Sequence, residues 1–332
     1  MPGYRNTSLA KSLCVGLMTL LFVALTHAET PQQEPKPVNP MRDFGMTASN
    51  VFFYYADLDR ATQFYTQTLG LPLVADYGMA KILRVAPTSS LTLVDGQKGM
   101  HRPEEPKTVA IALVTEQLEG WWAYIQKQGV PIKFPFNPKE GRPHHGFVAI
   151  DPEGYFLEFE RFNVHEENTK LMPVLNNTAT LYPEAGKSDV PPGLGFKATV
   201  IWFYYKDMAG IQKFYEDVMG FDLIVDQGWA KIYPLSPSGY FGLVDEKRGM
   251  HKFTEQKAVT MSFLTDRIDD WYSYLSKNKA VKMRSQKMEE DNPRYRAFVG
   301  YDPEGYYLEF DVFRAHEDNT SLMEALRAGM KK

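Results

Sequence analysis

The chain has 332 residues, of which 44% are hydrophobic and 23% charged, a length and composition typical of a folded protein of about two domains. The formal net charge of −4 offers no basic surface to nucleic acid or anionic lipid, so nucleic acid is excluded as an expected partner. Cys14 is the single cysteine and lies in a segment that we predict to be removed. The mature chain therefore excludes disulfides, thiol nucleophiles and cysteine-based zinc sites.

The N-terminal segment has the pattern of a secretory signal. Arg5 and Lys11 precede an apolar run, Leu13–Leu25, and small residues follow up to Ala28. The run is shorter than the roughly 20 residues that a membrane-spanning helix needs. We therefore predict a signal peptide over residues 1–28, an exported and periplasmic protein, and no membrane span after cleavage. An uncleaved anchor is the alternative.

Blocks of sequence recur at a nearly constant spacing through the rest of the chain. Phe53–Asp57 returns as Phe203–Asp207, and Asp151–Tyr155 returns as Asp302–Tyr306. A shared offset through separate blocks indicates a tandem duplication. The predicted organisation is a proline-rich extended linker (29–43), a first domain (44–168), a second linker (169–194), a second domain (195–318) and a helical tail (319–332).

Each copy has the pattern of two β-α-β-β-β units. Val51–Tyr55 is β-branched and aromatic, as expected for a strand, and Asp57 starts a helix that Gly70 ends. A second helix is predicted over 118–127. The other predicted strands of the first copy are 73–74, 81–85, 91–94, 109–114, 147–150 and 155–159. The predicted fold class is therefore α+β.

The strand–Asp57–helix start and the Asp-Pro-Glu-Gly-Tyr-x-x-Glu finish at Glu158, each present twice, resemble the vicinal oxygen chelate superfamily. That superfamily includes glyoxalase I, bleomycin resistance proteins and extradiol dioxygenases. The resemblance implies tandem vicinal-oxygen-chelate domains, each with two βαβββ units that form a curved half-barrel sheet. It also implies that the two domains pack as an intramolecular pseudo-dimer. Because this fold hosts lyases, oxygenases and plain binding proteins, the resemblance leaves open whether the protein is an enzyme.

The resemblance further implies a divalent metal in the concavity, held by the first and last strands of the units. The carboxylate position maps onto Glu158 and Glu309, and the partner position, often His or Gln, maps onto Asn50 and Val200. A transition-metal site needs three or four converging donors. We therefore expect the metal site to be largely lost and favour no cofactor. A divalent metal bound by Glu158 or Glu309 stays as an alternative.

Strand alternation places every second side chain on the concave face. The ligand-binding candidates on this face combine aromatic walls with acidic points: Asn50, Phe52, Tyr54, Phe156 and Glu158 in the first copy, and Trp202, Tyr204, Tyr307 and Glu309 in the second. Such a cleft suits a small aromatic or cationic molecule; the alternative is aromatic packing of curved sheets. For the two glutamates we expect either a raised pKa, as in a general base, or an ion pair with Lys81 or Lys231.

The catalytic candidates are Glu158, Glu309, His144 and His145. The two histidines occur in the first copy only, and we expect them in an exposed loop. The leading hypothesis is an exported protein that binds a small molecule. The alternatives are a metal-dependent lyase or dioxygenase that uses Glu158 or Glu309 with His144 or His145 as substitute ligands, and a structural or partner-binding module.

Overall fold

A computed structural model describes residues 38–330. The predicted signal peptide and residues 29–37 of the predicted linker lie outside the described residues. The end of that linker is not extended, because Pro40–Asp43 forms a short helix, α1. The side chain of Asn39 caps this helix by accepting a hydrogen bond from the backbone N–H of Arg42.

The two copies contribute the same series of strands. Those of the first copy are β1 (Ala48–Tyr55), β2 (Leu73–Asp76), β3 (Ala80–Ala86), β4 (Ser89–Asp95), β5 (Val109–Val114), β6 (Ile132–Phe134), β7 (His144–Ile150) and β8 (Phe156–Phe162). Those of the second copy are β9 (Ala198–Tyr205), β10 (Val225–Asp226), β11 (Ala230–Ser236), β12 (Gly239–Asp245), β13 (Val259–Leu264), β14 (Lys282–Met283), β15 (Tyr295–Tyr301) and β16 (Tyr307–Phe313). The short strand β6 was not predicted from the sequence.

The helices follow the same repeat. They are α2 (Leu58–Gln63), α3 (Leu118–Lys127), α4 (Leu171–Asn177), α5 (Met208–Lys213), α6 (Ile268–Leu275) and α7 (Thr320–Met330), with π-helical turns at Phe64–Thr68 and Phe214–Val218. Asp57 and Asp207 cap α2 and α5 by accepting backbone N–H bonds from Arg60 and Gly210. No helix among residues 38–330 is long and apolar enough to cross a membrane.

The strands form two eight-stranded mixed sheets, so the predicted α+β fold of tandem domains is confirmed. Sheet 1 has the order β14-β15-β16-β13-β1-β4-β3-β2, and sheet 2 has the order β10-β11-β12-β9-β5-β8-β7-β6. Each sheet thus joins one β-α-β-β-β unit of the first copy to one unit of the second. The joins are the antiparallel pairs β1–β13 and β5–β9. The two copies are therefore an intertwined intramolecular pair.

Two tyrosines join the copies through buried hydrogen bonds. The hydroxyl of Tyr155 donates to the carbonyl oxygen of Ala258 at 2.6 Å and accepts from the backbone N–H of Tyr54 at 2.7 Å. Tyr306 makes the equivalent contacts in the other half of the molecule, with Thr108 and Tyr204. Since each bond satisfies a buried backbone group, the tyrosines fix the strand ends that frame the inner faces of the sheets.

Candidate functional site: two unequal clefts

The inner face of each sheet lines a cleft. Cleft 1, on sheet 1, encloses about 540 Å³, whereas cleft 2, on sheet 2, encloses about 100 Å³. The larger cavity is lined by aromatic residues, three carboxyl groups and three basic side chains: Phe52, Tyr54, Tyr77, Tyr295, Phe298, Phe313, Glu289, Glu309, Asp311, Lys98, Arg284 and Arg294. The smaller one is lined by His144, Glu158, Glu160, Trp202, Tyr204 and Trp229, among others.

The predicted site residues are divided between the clefts differently from the sequence-based expectation. The sequence grouped Asn50, Phe52 and Tyr54 with Glu158, because all of them belong to one copy. In the structure Phe52 and Tyr54 line cleft 1 with Glu309 of the second copy, since β1 pairs with β13 and β13 with β16, while Asn50 is buried on the same strand. Cleft 2 likewise combines Trp202 and Tyr204 with Glu158, whereas the predicted residues Phe156 and Tyr307 pack against His251 and His101.

The four central strands of each sheet present one row of side chains at the family's metal position. In sheet 1 the row reads Ser90, Asn50, Ser262 and Glu309. In sheet 2 it reads Tyr240, Val200, Ala112 and Glu158. The first row is polar throughout, whereas the second has one carboxyl group among apolar and aromatic residues.

The polar side chains of cleft 1 bind one another. The amide of Asn50 donates to the Thr92 hydroxyl at 2.8 Å, and its Oδ1 lies 3.0 Å from the same hydroxyl. The Ser262 hydroxyl donates to Asp311 at 2.5 Å. These contacts engage the Asn50 amide and the Ser262 hydroxyl within the protein.

Glu309 and Asp311 form the acidic floor of cleft 1. Glu309 is 8% exposed, and none of the described N–H or O–H groups donates a hydrogen bond to it. Burial raises its pKa well above the ordinary value, and the neighbouring Asp311 raises it further. Burial also raises the pKa of Asp311. The sequence-based site did not include Asp311, although its place two residues after Glu309 on one strand puts it on the same face.

The lysines that were expected as partners of the glutamates bind elsewhere. Lys81 Nζ lies 2.5 Å from Asp76, and Lys231 Nζ lies 2.7 Å from Asp226. Each pair joins two residues of the same β-hairpin, so each lysine binds an aspartate that is near to it in the sequence. The expectation of a Glu158 or Glu309 ion pair with these lysines is therefore wrong.

Cleft 2 is small because the protein's own side chains fill it. The indole of Trp202 lies over Gly242, where an added Cβ would be only 2.1 Å from Trp202 Cε3. Trp202 is 6% exposed, and Tyr240 beside it is 1% exposed. In cleft 1 the counterparts of Trp202 and Gly242 are Phe52 and Thr92, which leave the cavity open.

His144 supplies a basic group inside cleft 2. Its Nδ1 lies 3.0 Å from Oε1 of Glu160, whose carboxyl group is fully buried. Burial opposes protonation of His144, but the contact with Glu160 outweighs it and raises the pKa of the imidazole to about 9. Glu158 is half-buried beside this pair, and burial together with the charge of Glu160 raises its pKa.

The expectation of an exposed histidine loop is wrong, because His144 and His145 open strand β7 and are both half-buried. His145 does not join the acidic groups: its Nε2 lies 2.8 Å from the carbonyl oxygen of Lys139. A more open cavity of about 590 Å³ adjoins cleft 2 and shares His144, Glu158 and Arg248 with it; His145 lines this second cavity as well.

Among residues 38–330, no group of three or more His, Cys, Asp or Glu side chains is placed to hold a metal ion. Glu158 and Glu309 lie in different clefts, so they cannot share one ion.

The architecture and the site define a tandem member of the glyoxalase-type fold. The family model described as Glyoxalase/Bleomycin resistance protein/Dioxygenase superfamily matches residues 47–159 and again residues 197–310, which together make up more than half of the chain. The chain therefore belongs to this superfamily.

Solved structures with the same fold span most of the chain. A provisionally named dioxygenase from Bacillus subtilis subsp. subtilis str. 168 is 14% identical, with a TM-score of 0.60, and the match covers 87% of this chain and 91% of that one. Glyoxalase I from Zea mays is 15% identical, with a TM-score of 0.54, over 87% of this chain and 97% of the other. At these identities the likeness shows the fold alone. Among proteins of curated function, none matches the chain significantly.

Proposed function

We propose that this superfamily member is an exported protein that binds a small aromatic or cationic molecule in a concave cleft and does not use the family's metal. The observation that carries the proposal is the cavity of about 540 Å³ in cleft 1, which has aromatic walls and an acidic floor. A cavity of this size and lining is typical of small-molecule sites. The predicted signal peptide supports export.

The side chains at the family's metal position do not fit a transition-metal ion. In cleft 1, Asn50 is bound to Thr92, and Ser262 is bound to Asp311, so Glu309 is the one carboxyl group of its row. Amide and hydroxyl oxygens are weak ligands for Zn²⁺ or Ni²⁺. In cleft 2 the row offers Glu158 beside alanine and valine.

Two measurements on the purified protein test this function. Elemental analysis is expected to give far less than one Fe, Mn, Ni or Zn per chain. Isothermal titration with phenethyl alcohol and phenethylammonium, in the presence of EDTA, is expected to show saturable binding of at least one of them. Stoichiometric metal that is lost in Glu309→Ala or Glu158→Ala would instead support a metal-dependent lyase or dioxygenase. If neither probe binds at millimolar concentration, the binding function is contradicted.

A further inference from the structure

The two clefts are related by the internal repeat, so each position in one has a counterpart in the other. Asp311 faces Ala297 across the β15–β16 pair, and Glu160 faces Gly146 across β7–β8. Two residues earlier on the partner strand, Tyr295 in sheet 1 corresponds to His144 in sheet 2, because each stands opposite a phenylalanine. The repeat therefore gives a direct comparison of how each cleft balances its buried acids.

Cleft 2 places a basic group of the protein against one of its two acids. The imidazole of His144 lies 3.0 Å from Glu160, and the Trp202 indole fills the space over Gly242. A buried carboxylate is stable only with a positive or hydrogen-bonding partner. Within cleft 2, the imidazole provides the charge and the indole occupies the volume.

Cleft 1 has the acids without a positive group in contact, although Asp311 accepts a hydrogen bond from the Ser262 hydroxyl. Among residues 38–330, no Lys, Arg or His nitrogen lies within 4.0 Å of Glu309 or Asp311, and the counterpart of the imidazole is the uncharged phenol of Tyr295. Of the basic groups that line the cleft, Lys98 is paired with Asp95 at 3.1 Å and Arg294 with Asp318 at 2.6 Å. Arg284 also lines the cleft; its guanidinium lies 5.3 Å from the centre of the Tyr307 ring, and its positive charge partly offsets the rise in the pKa of Glu309.

We infer that cleft 1 is the ligand-binding cleft and that its ligand is a small organic cation with an aromatic or apolar body. The charged group of the ligand lies against Glu309 and Asp311, where the imidazole of His144 lies against Glu160 in cleft 2. The aromatic walls formed by Phe52 and Tyr54 hold the body of the ligand through stacking and cation–π contact. This inference rests on the proposed function and names its cleft and ligand class.

Isothermal titration with phenethylammonium and its uncharged analogue, phenethyl alcohol, tests the inference at neutral pH with EDTA present. We expect the ammonium to bind about tenfold or more tightly than the alcohol, because only the ammonium can form charge-assisted hydrogen bonds to these carboxyl groups, with release of a proton where burial keeps one protonated. Glu309→Gln should remove most of that difference. The matched variant Glu158→Gln, in cleft 2, should leave both affinities unchanged.

Exchange of the counterpart residues gives a second, independent test. Tyr295→His places an imidazole beside Asp311 and should weaken phenethylammonium binding about tenfold, whereas His144→Tyr in cleft 2 should not. If Glu309→Gln does not fold, the Tyr295→His and His144→Tyr variants, with the two probes, still test whether cleft 1 binds the cation. Thermal unfolding of each variant checks that the fold is kept.

Tryptophan fluorescence locates the binding site, because Trp202 and Trp229 line cleft 2 and no tryptophan lines cleft 1. Binding in cleft 1 should leave the emission nearly unchanged. Equal affinity for the two probes would overturn the inference and leave the proposed function standing. Tighter binding of the ammonium that quenches Trp202, or that depends on Glu158, would also overturn it. Binding of neither probe would contradict both.

Discussion

The packing of Trp202 on Gly242 gives the most quantitative prediction. A Cβ at position 242 would lie 2.1 Å from Cε3 and 2.4 Å from Cζ3 of Trp202, well inside the ~3.5–4 Å of an ordinary carbon contact. The indole would have to move by more than about 1 Å within a packed cleft. We therefore expect Gly242→Ala to lower the free energy of unfolding by about 1–3 kcal/mol, the usual effect of overpacking.

A double-mutant cycle separates this contact from a general effect of the substitution. Trp202→Phe removes the second ring that reaches across Gly242, so the double variant should be more stable than the sum of the single changes by about 1 kcal/mol or more. Gly300→Ala is the matched control. An added Cβ there meets its nearest atom, in Val281, at 3.3 Å, and we expect a change within about 0.5 kcal/mol.

Equilibrium urea unfolding, followed by circular dichroism, measures the four variants. If Gly242→Ala and Trp202→Phe prove additive within about 0.5 kcal/mol, the indole does not fill cleft 2 as described, and the contrast between the clefts loses its basis.

The remaining predictions concern stability and metal. Burial against Phe156 lowers the pKa of His251 to about 4, so the folded state favours neutral imidazole. The stability that neutral His251 contributes is fully present above the unfolded-state pKa near 6.5 and is lost as the pH falls towards 4. His251→Phe should therefore flatten the pH dependence of the free energy of unfolding by about 1–3 kcal/mol over that range. Tyr155→Phe leaves the buried N–H of Tyr54 unpaired and should cost about 1–3 kcal/mol, with Tyr306→Phe giving a similar loss in urea unfolding. Exhaustive EDTA dialysis should leave the melting temperature unchanged. A lower melting temperature that one added metal restores would refute the proposal that the protein does not use a metal.

Much of the fold could be predicted because it depends on local patterns. The aspartates before α2 and α5, the alternating strands and the Asp-Pro-Glu-Gly turns each specify a short stretch of structure, and their repetition reveals the duplication. The pairing of units across the copies could not be predicted. The strand pairs β1–β13 and β5–β9 have the same hydrophobic pattern as pairs within one copy, so periodicity does not distinguish them.

Part of the cleft geometry could be predicted for the same reason. The face of each strand was correct for Glu309 and Trp202, because alternation fixes it. The residues that share a cleft were not predicted correctly, since Glu158 shares its cleft with Trp202 and not with Asn50. The contact of His144 with Glu160 depends on the hairpin register of β7 and β8, which the sequence alone does not set.

A crystal structure with para-bromophenethylammonium tests the central claim most directly, because the anomalous signal of bromine locates the ligand without ambiguity. We predict one bromine site per chain, among the aromatic walls of cleft 1, with the ammonium nitrogen within hydrogen-bond distance of Glu309 or Asp311. Bromine in cleft 2, or a metal ion held by three protein donors in either cleft, would contradict this account.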